Sequence, residues 1–412
     1  MTAKPLAIAS VALLLCSGVL VSAQNSPLDY TQWRGQTRDG SASGFTEPKT
    51  WPERLRQRWT VTIGEGYATP LVVGDRVYTH ARRDGHEIMM ALDAASGKAI
   101  WQTSYAAPYK MNPATAGHGQ GPKATPLFHG GKLFTLGISG IVSAFDASTG
   151  RLLWQTAAPP VDPVFGTATS PLADGNNVIV HVGGHDRGAL TAFNADTGAV
   201  TWRWDGDGPA YASPIVAVIG GTRQIVTISQ RNIVGLAADT GRLLWQRPFK
   251  TTYDNSSITP IQLGDTIVVS AQDKGITALR PVRTSDRWNV EVLWETREAG
   301  LFMSNGVVVG DTLYGLSHLS SGQYFALDVK TGSILWKTRG REAENTAFVK
   351  ANNVLFMLNE DGELITARAN RTAFEPLRRY IVATSATWAQ PAISGNRIFV
   401  KDVSALTLWT LD

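Results

Sequence analysis

Hydrophobic and polar positions along this chain follow one pattern that returns eight times. Its first half is an apolar run led by proline, a short polar turn and a second apolar run. Short apolar runs separated by turns predict β-strands. Successive copies stand about 42 to 56 residues apart, near the length of a four-stranded propeller blade. The copies begin at Thr69, Thr125, Ser170, Ser213, Thr259, Asn305, Ala347 and Gln390.

The second half of the pattern reads Asp-x-x-Ser/Thr-Gly-x-x-x-Trp. The Asp or Asn side chain can accept backbone N–H groups of a turn, and glycine suits its positive-φ position. The tryptophan then falls on the next strand, where its ring can cover the joint between two blades. The clearest copies run over 93–101, 146–154, 194–202 and 328–336, and a further copy over 237–245 has Ala237 in the Asp place.

Two copies deviate from this pattern. The fifth inserts Pro281 to Glu291 before Trp294, which lengthens the last hairpin of that blade. The seventh lacks the tryptophan and carries Phe374 to Leu377 in its place.

The two ends of the repeat region complement each other. The last copy stops at Asp412, where a turn and a fourth strand should follow, and an unpaired strand around Trp59 precedes the first copy. Pairing the two completes the last blade and removes an exposed sheet edge. The sequence therefore predicts an all-β, eight-bladed β-propeller over residues 57–412, closed by its own N-terminal strand and preceded by a leader over 24–56.

Residues 1–23 have the features of a signal peptide that is cleaved after Ala23. Lys4 supplies the positive charge, and residues 8–21 form an apolar stretch too short to span a bilayer. We therefore expect a periplasmic or secreted protein without a transmembrane segment. A lipid anchor on Cys16 is the alternative, which the bulky Leu15 disfavours.

Cys16 is the only cysteine of the chain. The mature protein is therefore expected to have no disulfide, no thiolate nucleophile and no cysteine-bound metal. The formal charge of +4 comes from dispersed Lys and Arg side chains. Nucleic-acid binding is not expected, because it needs a clustered basic surface.

The repeats, together with the leader Trp33-Arg34-Gly35-x-x-x-Asp39-Gly40, resemble the pyrroloquinoline-quinone-like (PQQ-like) repeat family over about residues 57–412. That resemblance implies a propeller fold but leaves two kinds of activity open. The family includes quinoprotein alcohol and glucose dehydrogenases, and also the non-catalytic propeller lipoprotein of the outer-membrane assembly machine. The dehydrogenases hold PQQ between a Trp and a disulfide of adjacent cysteines, and bind calcium beside it. A mature chain without cysteine cannot form that disulfide.

Ligands of propellers usually meet the loops at one mouth of the central channel. In the predicted order of strands, those loops join the second and third strands of a blade, or lead from one blade to the next. Their polar and aromatic side chains are our ligand-binding candidates. The candidates are His118, Lys123, His185, Asp186, Arg187, Tyr253, Asn255, Lys274, His318, Gln323, Glu344, Asn345 and Trp388.

Several histidines in or near these loops have simpler interpretations. His181 lies on a strand and is expected to be packed in the core. His185 and Asp186 could be a turn pair. Zinc held by His118, His185 and His318 is an alternative, but three histidines in three blades are scattered, and we predict no metal site.

The leading hypothesis is an exported, monomeric binding or scaffold propeller that is not catalytic. It would hold a small polar ligand or an envelope protein at one mouth of the channel. No nucleophile elbow, Ser-His-Asp order or metalloprotease motif is visible. The alternatives are a PQQ- and calcium-dependent alcohol or sugar dehydrogenase with a cysteine-free site, and a partner protein in envelope assembly.

Overall fold

The computed structural model describes Ser26, residues 28–161 and residues 163–411. The proposed signal peptide and its cleavage site lie outside the described residues. Eight four-stranded antiparallel sheets form a ring, and two short 3-10 helices, Pro113–His118 and Leu319–Ser321, interrupt the loops. The predicted eight-bladed β-propeller is confirmed.

Seven blades each use four consecutive strands, with the first strand innermost. The first blade consists of β2 (Leu71–Val73), β3 (Arg76–Arg83), β4 (His86–Asp93) and β5 (Ala99–Ala106), the second of β6 (Leu127–His129), β7 (Lys132–Leu136), β8 (Val142–Asp146) and β9 (Leu152–Gln155), and the third of β10 (Leu172–Asp174), β11 (Asn177–Gly184), β12 (Arg187–Asn194) and β13 (Val200–Trp204). The fourth consists of β14 (Ile215–Ile219), β15 (Thr222–Ile228), β16 (Asn232–Ala237) and β17 (Leu243–Pro248), and the fifth of β18 (Ile261–Leu263), β19 (Thr266–Ala271), β20 (Gly275–Thr284) and β21 (Arg287–Thr296). The sixth consists of β22 (Val307–Val309), β23 (Thr312–Ser317), β24 (Gln323–Asp328) and β25 (Ile334–Lys337), and the seventh of β26 (Thr346–Ala351), β27 (Val354–Asn359), β28 (Glu363–Arg368) and β29 (Glu375–Ile381).

The eighth blade combines both ends of the repeat region. It consists of β30 (Ala392–Ser394), β31 (Arg397–Lys401) and β32 (Ala405–Thr410), and β1 (Arg56–Thr62) is its outer strand. β1 pairs antiparallel with β32, with Trp59 opposite Leu408. The predicted closure of the ring by its N-terminal strand is therefore confirmed.

The repeated tryptophan joins each blade to the next in most of the ring. Trp101, on β5, donates its indole N–H to the carbonyl of Ala147 in the next blade, at 3.1 Å. Its ring lies against Gly150, where an added Cβ would overlap the indole. We call this contact the Trp–Gly clasp. Five joints have it, through Trp59 and Gly97, Trp101 and Gly150, Trp154 and Gly198, Trp202 and Gly241, and Trp294 and Gly332.

The turn that presents the glycine is built by its aspartate. Asp146 Oδ1 accepts the backbone N–H of Ser148 at 3.0 Å and that of Thr149 at 2.9 Å, together with both hydroxyls. These hydrogen bonds lower the pKa of Asp146 to about 2, because they favour the ionised carboxylate. The sequence pattern Asp-x-x-Ser/Thr-Gly thus encodes the turn that receives the preceding tryptophan.

The joint between the fourth and fifth blades lacks the clasp. Trp245 donates its indole N–H within its own blade, to Gln224 Oε1 at 2.7 Å. The long hairpin formed by β20 and β21 covers this joint instead, and its Trp288 and Val290 pack against the cluster that contains Trp245. The insertion seen in the sequence therefore replaces a missing contact.

The joint between the seventh and eighth blades is filled by the leader. Phe45 and Trp51 pack into one cluster with Phe356 of β27 and Ile398 of β31. The Glu47 carboxylate also pairs with Arg368 across this joint. The seventh blade lacks the repeated tryptophan, and aromatic rings of the leader cover its apolar surface instead.

The leader also crosses the central channel. Between Tyr30 and Ser41 it contacts the inner strand, or the residues that open it, in every blade. The contacted residues are Val72, Phe128, Ser170 with Pro171, Pro214, Thr259, Gly306, Lys350 and Gln390.

Two buried arginines anchor this crossing. Arg38 is 6% exposed and donates to the carbonyls of Ser170 at 2.7 Å and Pro214 at 2.7 Å. Arg34 is 1% exposed and donates to the carbonyl of Gly306 at 2.7 Å. Burial lowers the pKa of Arg34 to about 10 and of Arg38 to about 9. Hydrogen bonds to carbonyls offset part of the cost of removing these charges from water.

Deleting residues 24–62 is expected to destabilise the whole ring. It removes β1, which leaves the edge of β32 unpaired, and it removes the leader from the channel and from the last joint. We expect the melting temperature of the mature protein to fall by about 10 °C or more in thermal unfolding. A shorter deletion, of residues 24–54, keeps β1. Its melting temperature should therefore lie between that of the 24–62 deletion and that of the mature protein. Equal melting of the 24–62 deletion and the mature protein would show that the closure is unimportant for stability.

The Trp–Gly clasp can be tested with a matched pair of glycine substitutions. Gly150 has φ of +75° and faces Trp101, whereas Gly175 has φ of +57° with no heavy atom within 4 Å of an added Cβ. Both alanine variants strain the backbone, by about 1 kcal/mol. Gly150→Ala also displaces the indole, which should cost about 1–3 kcal/mol more in chemical denaturation. Equal losses for Gly150→Ala and Gly175→Ala would contradict the clasp.

Candidate binding site at the channel mouth

A cavity of about 440 Å³ opens at one mouth of the channel. Most of its lining comes from the loops that lead from one blade to the next, as the sequence predicted for a site. The surface that it exposes, however, is mainly apolar, and much of it comes from aromatic side chains. They include Tyr67, Phe165, Tyr211, Phe302 and Trp388.

The leader supplies part of the floor of this cavity. Trp33 lines it and donates its indole N–H to Thr259 Oγ1 at 2.9 Å. On the other side of the leader, a second cavity of about 320 Å³ is lined by Arg34, Thr37 and residues of the inner strands. The leader thus separates the channel into two compartments, which the sequence did not predict.

Hydroxyl groups beside the repeated prolines hold the loops around the cavity in register. Thr125 Oγ1 accepts the N–H of Thr69 at 3.3 Å, and Ser170 Oγ accepts the N–H of Thr125 at 3.0 Å. Ser213 Oγ likewise accepts the N–H of Ser170 at 2.9 Å. These bonds run from blade to blade across the first four blades. They explain why Thr or Ser precedes proline in the repeat.

Lys123 provides a positive charge inside the aromatic cavity. Its Nζ donates to the carbonyl of Phe165 at 2.9 Å, and among residues 28–161 and 163–411 no Asp or Glu lines the cavity. Burial lowers the pKa of Lys123 from 10.5 to about 8. Burial and the charge of Lys123 also lower the pKa of His118, whose ring lies 4.4 Å from that of Trp388 between centroids.

Two buried amides lie across the channel from Lys123. Asn305 is 7% exposed and Asn345 is 4% exposed, and both line the cavity. Asn305 Oδ1 accepts the N–H of Thr259, and Asn345 Oδ1 accepts the hydroxyl of Ser304, each at 2.8 Å. Within the described part of the chain, neither amide nitrogen donates to a protein acceptor. Two NH₂ groups are therefore available to a ligand.

Six of the thirteen predicted site residues line the cavity. These are His118, Lys123, Tyr253, Asn255, Asn345 and Trp388. The other seven do not line it. They are His185, Asp186, Arg187, Lys274, His318, Gln323 and Glu344.

Several residues outside the cavity hold neighbouring loops instead. His318 Nδ1 lies 2.8 Å from the carbonyl of Gly300, and Gln323 donates to the carbonyl of Thr338 at 2.8 Å. Asp186 pairs with Arg231. As expected, His181 is a core residue, 1% exposed, and burial lowers its pKa to about 4.

Sequence reasoning missed the apolar lining. Phe165, Phe302 and Met303 line the cavity and stand a few residues before the opening of an inner strand. Tyr67 and Trp388 stand in the corresponding loops of other blades. The signal that could have identified them is an aromatic residue two to five positions ahead of the start of a repeat.

The described lining does not fit a calcium-bound quinone. Calcium takes carboxylate and carbonyl oxygens as ligands, and the described residues of the cavity present a lysine, a histidine and amides but no carboxylate. Over residues 28–161 and 163–411, no three His, Cys, Asp or Glu side chains are placed to hold a metal ion together. The zinc alternative with His118, His185 and His318 finds no such grouping either.

The charge on Lys123 predicts a pH-dependent stability difference. The folded protein loses this proton near pH 8, whereas the unfolded chain holds it up to about pH 10.5. The burial cost is therefore fully present below pH 8 and disappears as the pH rises to 10.5. We expect Lys123→Met to stabilise the protein by about 1–2 kcal/mol at pH 7 and by almost nothing at pH 10.5. Chemical denaturation of both proteins at each pH measures this, and an equal difference at both values would contradict the burial of the charge.

The chain is similar to proteins named outer membrane protein assembly factor BamB. The family model described as outer membrane protein assembly factor BamB matches residues 85–338. The outer membrane protein assembly factor BamB of Yersinia pestis is 24% identical over 372 residues, covering 83% of this chain and 85% of the relative. The crystal structure of BamB from Moraxella catarrhalis superposes with a TM-score of 0.60 at 18% identity, over 86% of this chain and 97% of that one.

A shorter match connects the chain with quinone enzymes. The dehydrogenase subunit of the quinone alcohol dehydrogenase of Komagataeibacter europaeus is 33% identical over 145 residues, which are 33% of this chain and 19% of that subunit. None of the described helices has the length and apolar character needed to cross a membrane. The family match extends over more than half of the sequence and agrees with the blade repeats, and the chain therefore belongs to the PQQ-like propeller family of outer membrane protein assembly factor BamB.

Proposed function

We propose that this protein is an exported, non-catalytic scaffold propeller that docks an envelope protein on its mouth face. The observation that carries this proposal is an exposed apolar rim around the cavity. Val164 is 51% exposed, Tyr253 is 66% exposed and Met303 is 37% exposed. Each stands in a different loop between blades.

The position of these three side chains supports a docking role. Other exposed apolar residues, such as Ile100, Val200 and Ile381, lie on the outermost strands of their blades. The rim residues instead share one face and surround a concave aromatic surface. Apolar groups gathered on one face and bordered by polar side chains are typical of protein-interaction sites.

The chemistry of the mouth supports binding rather than catalysis. Among the residues that the structure describes, no carboxylate lines the cavity that could act as a general base or hold calcium. The hydroxyl contacts beside the prolines hold its loops in a fixed arrangement. A relative that matches most of the chain is named an outer membrane protein assembly factor. These observations support the proposal of a monomeric envelope protein that residues 1–23 deliver and that has an assembly component as its partner.

The docking face can be tested by substituting its apolar rim. Val164→Asp combined with Tyr253→Asp introduces two charges into the expected interface. We expect this variant to lose at least about 80% of the outer-membrane assembly component recovered by the unmodified protein, since an unpaired buried charge costs several kcal/mol. Crosslinking in intact cells, followed by affinity purification and quantitative mass spectrometry, measures the recovery.

The matched control is Val200→Asp, which changes an equally exposed valine on β13. It should recover the partner as well as the unmodified protein does. Equal recovery with the rim variant, or no enriched assembly component at all, would overturn the docking proposal. Turnover of an alcohol or a sugar by the purified protein with added PQQ, calcium and a dye acceptor would overturn its non-catalytic character.

A further inference from the structure

The hairpin formed by β20 and β21 borders a groove on the face opposite the mouth. Turns that join the first and second strands of a blade, or the third and fourth, share this face, because the strands of each blade are antiparallel. The hairpin and the turns of the third and fourth blades enclose a space of about 860 Å³, which lies within the range of small-molecule sites. We call it the hairpin groove; it is lined by the turns at 174–177 and 221–223, by residues of the turn at 237–244 and by the hairpin around Trp288.

Charges of opposite sign are balanced along the hairpin groove. Among the described residues, its lining contains three arginines and three aspartates but no lysine, histidine or glutamate. They are Arg223, Arg242, Arg283, Asp174, Asp239 and Asp286. Arg223 pairs with Asp174, and Arg283 Nη2 lies 3.8 Å from Asp286 Oδ1. A charged ligand would therefore meet like charges as well as opposite ones, whereas a neutral ligand is not repelled by either.

The groove also presents hydrogen-bond donors and acceptors that the described protein does not use. The guanidinium of Arg242 and the indole N–H of Trp288 donate to no acceptor among the described residues. Asp239 Oδ2 and Asn176 Oδ1 likewise accept from no donor in that part of the chain. A hydroxyl group both donates and accepts, so a ligand rich in hydroxyls can satisfy both kinds of group.

Trp288 supplies an aromatic surface inside this polar groove. It is half-buried, since it packs against the cluster that contains Trp245 and also lines the groove. A sugar ring has C–H groups on its faces and hydroxyls around its edge. Its face can therefore lie on the indole while its hydroxyls reach the polar groups on either side.

We propose that the hairpin groove binds an uncharged oligosaccharide. One sugar ring lies on Trp288, and hydroxyls of this sugar and its neighbours bond to Arg242, Asp239 and Asn176. An anion would face the three aspartates, and a cation would face the three arginines. An apolar ligand would leave the polar groups without partners. The long hairpin of the fifth blade thereby has a role in addition to covering the joint beside Trp245.

The test compares tetrasaccharides that share one backbone and differ in charge. Cellotetraose is neutral, the β-linked glucosamine tetramer is cationic, and the β-linked glucuronate tetramer is anionic. Isothermal titration calorimetry of the purified mature protein at pH 6 measures each affinity. We expect cellotetraose, or the neutral α-linked maltotetraose, to bind with a Kd below about 1 mM. Either charged tetramer should bind at least about tenfold more weakly than the neutral one.

Two arginines of this face form a matched pair of substitutions. Arg242→Met should weaken binding of the neutral tetramer about tenfold, because it removes hydrogen bonds from a charged donor to the ligand. Arg287→Met changes an exposed arginine of the same hairpin that does not line the groove, and it should leave the affinity within about twofold. Asp239→Asn leaves three arginines facing two aspartates. It should therefore bring the affinity for the glucuronate tetramer closer to that for the neutral one.

This inference goes beyond the proposed function, because docking uses the rim of the mouth and the groove lies on the other face. The rim variant with Val164→Asp and Tyr253→Asp should bind the neutral tetramer as the unmodified protein does. Arg242→Met should recover the assembly component fully. The oligosaccharide proposal is overturned if neither neutral tetramer binds at about 10 mM. It is also overturned if a charged tetramer binds as tightly as the neutral one, or if Arg242→Met and Arg287→Met have equal effects.

Discussion

The ring depends on the contact between a tryptophan of one blade and a glycine turn of the next. A four-stranded blade has two apolar faces and cannot bury both alone, so its stability comes from its neighbours. The clasp fixes this packing with two components, an indole N–H bonded to a backbone carbonyl and a ring that covers a position without a side chain. Each clasp also sets the rotation of one blade against the next. Five such contacts therefore constrain the geometry on which every other feature relies.

Two of the three joints without the complete contact show how the chain compensates. At one, β20 and β21 extend into a hairpin that lays Trp288 beside Trp245. At the other, Phe45 and Trp51 of the leader enter the cluster. In both cases an aromatic side chain from an added segment covers apolar surface that would otherwise face water. The irregular segments of this protein are thus placed where the repeat pattern fails, and the leader is an integral part of the ring.

Much of this architecture could be predicted from sequence because repeats encode local contacts. The turn around Asp146, the ring-covering Trp101 and the pairing of Trp59 with the last blade all follow from spacing and turn chemistry. The lining of the mouth cavity was predicted only in part. Lys123 and Trp388 were placed correctly in loops at the mouth, but His185 and His318 lie outside the cavity. Spacing assigns a residue to a loop, whereas the direction of its side chain depends on contacts with other blades. The crossing of the channel by Arg34 and Arg38 could not be predicted, because their partners are backbone carbonyls, which every residue has.

The pairing of β1 with β32 also has a consequence for the order of folding. Thr60 on β1 and Thr407 on β32 are hydrogen-bonded partners 347 residues apart in sequence. Such distant pairing makes folding slow, because a long loop must close before the contact forms. During synthesis, β1 and the arginines of the leader emerge long before the strands that receive them. Until those strands are made, β1 has an unpaired edge and the leader arginines lack their carbonyl partners. The chain is most susceptible to aggregation and proteolysis during this interval.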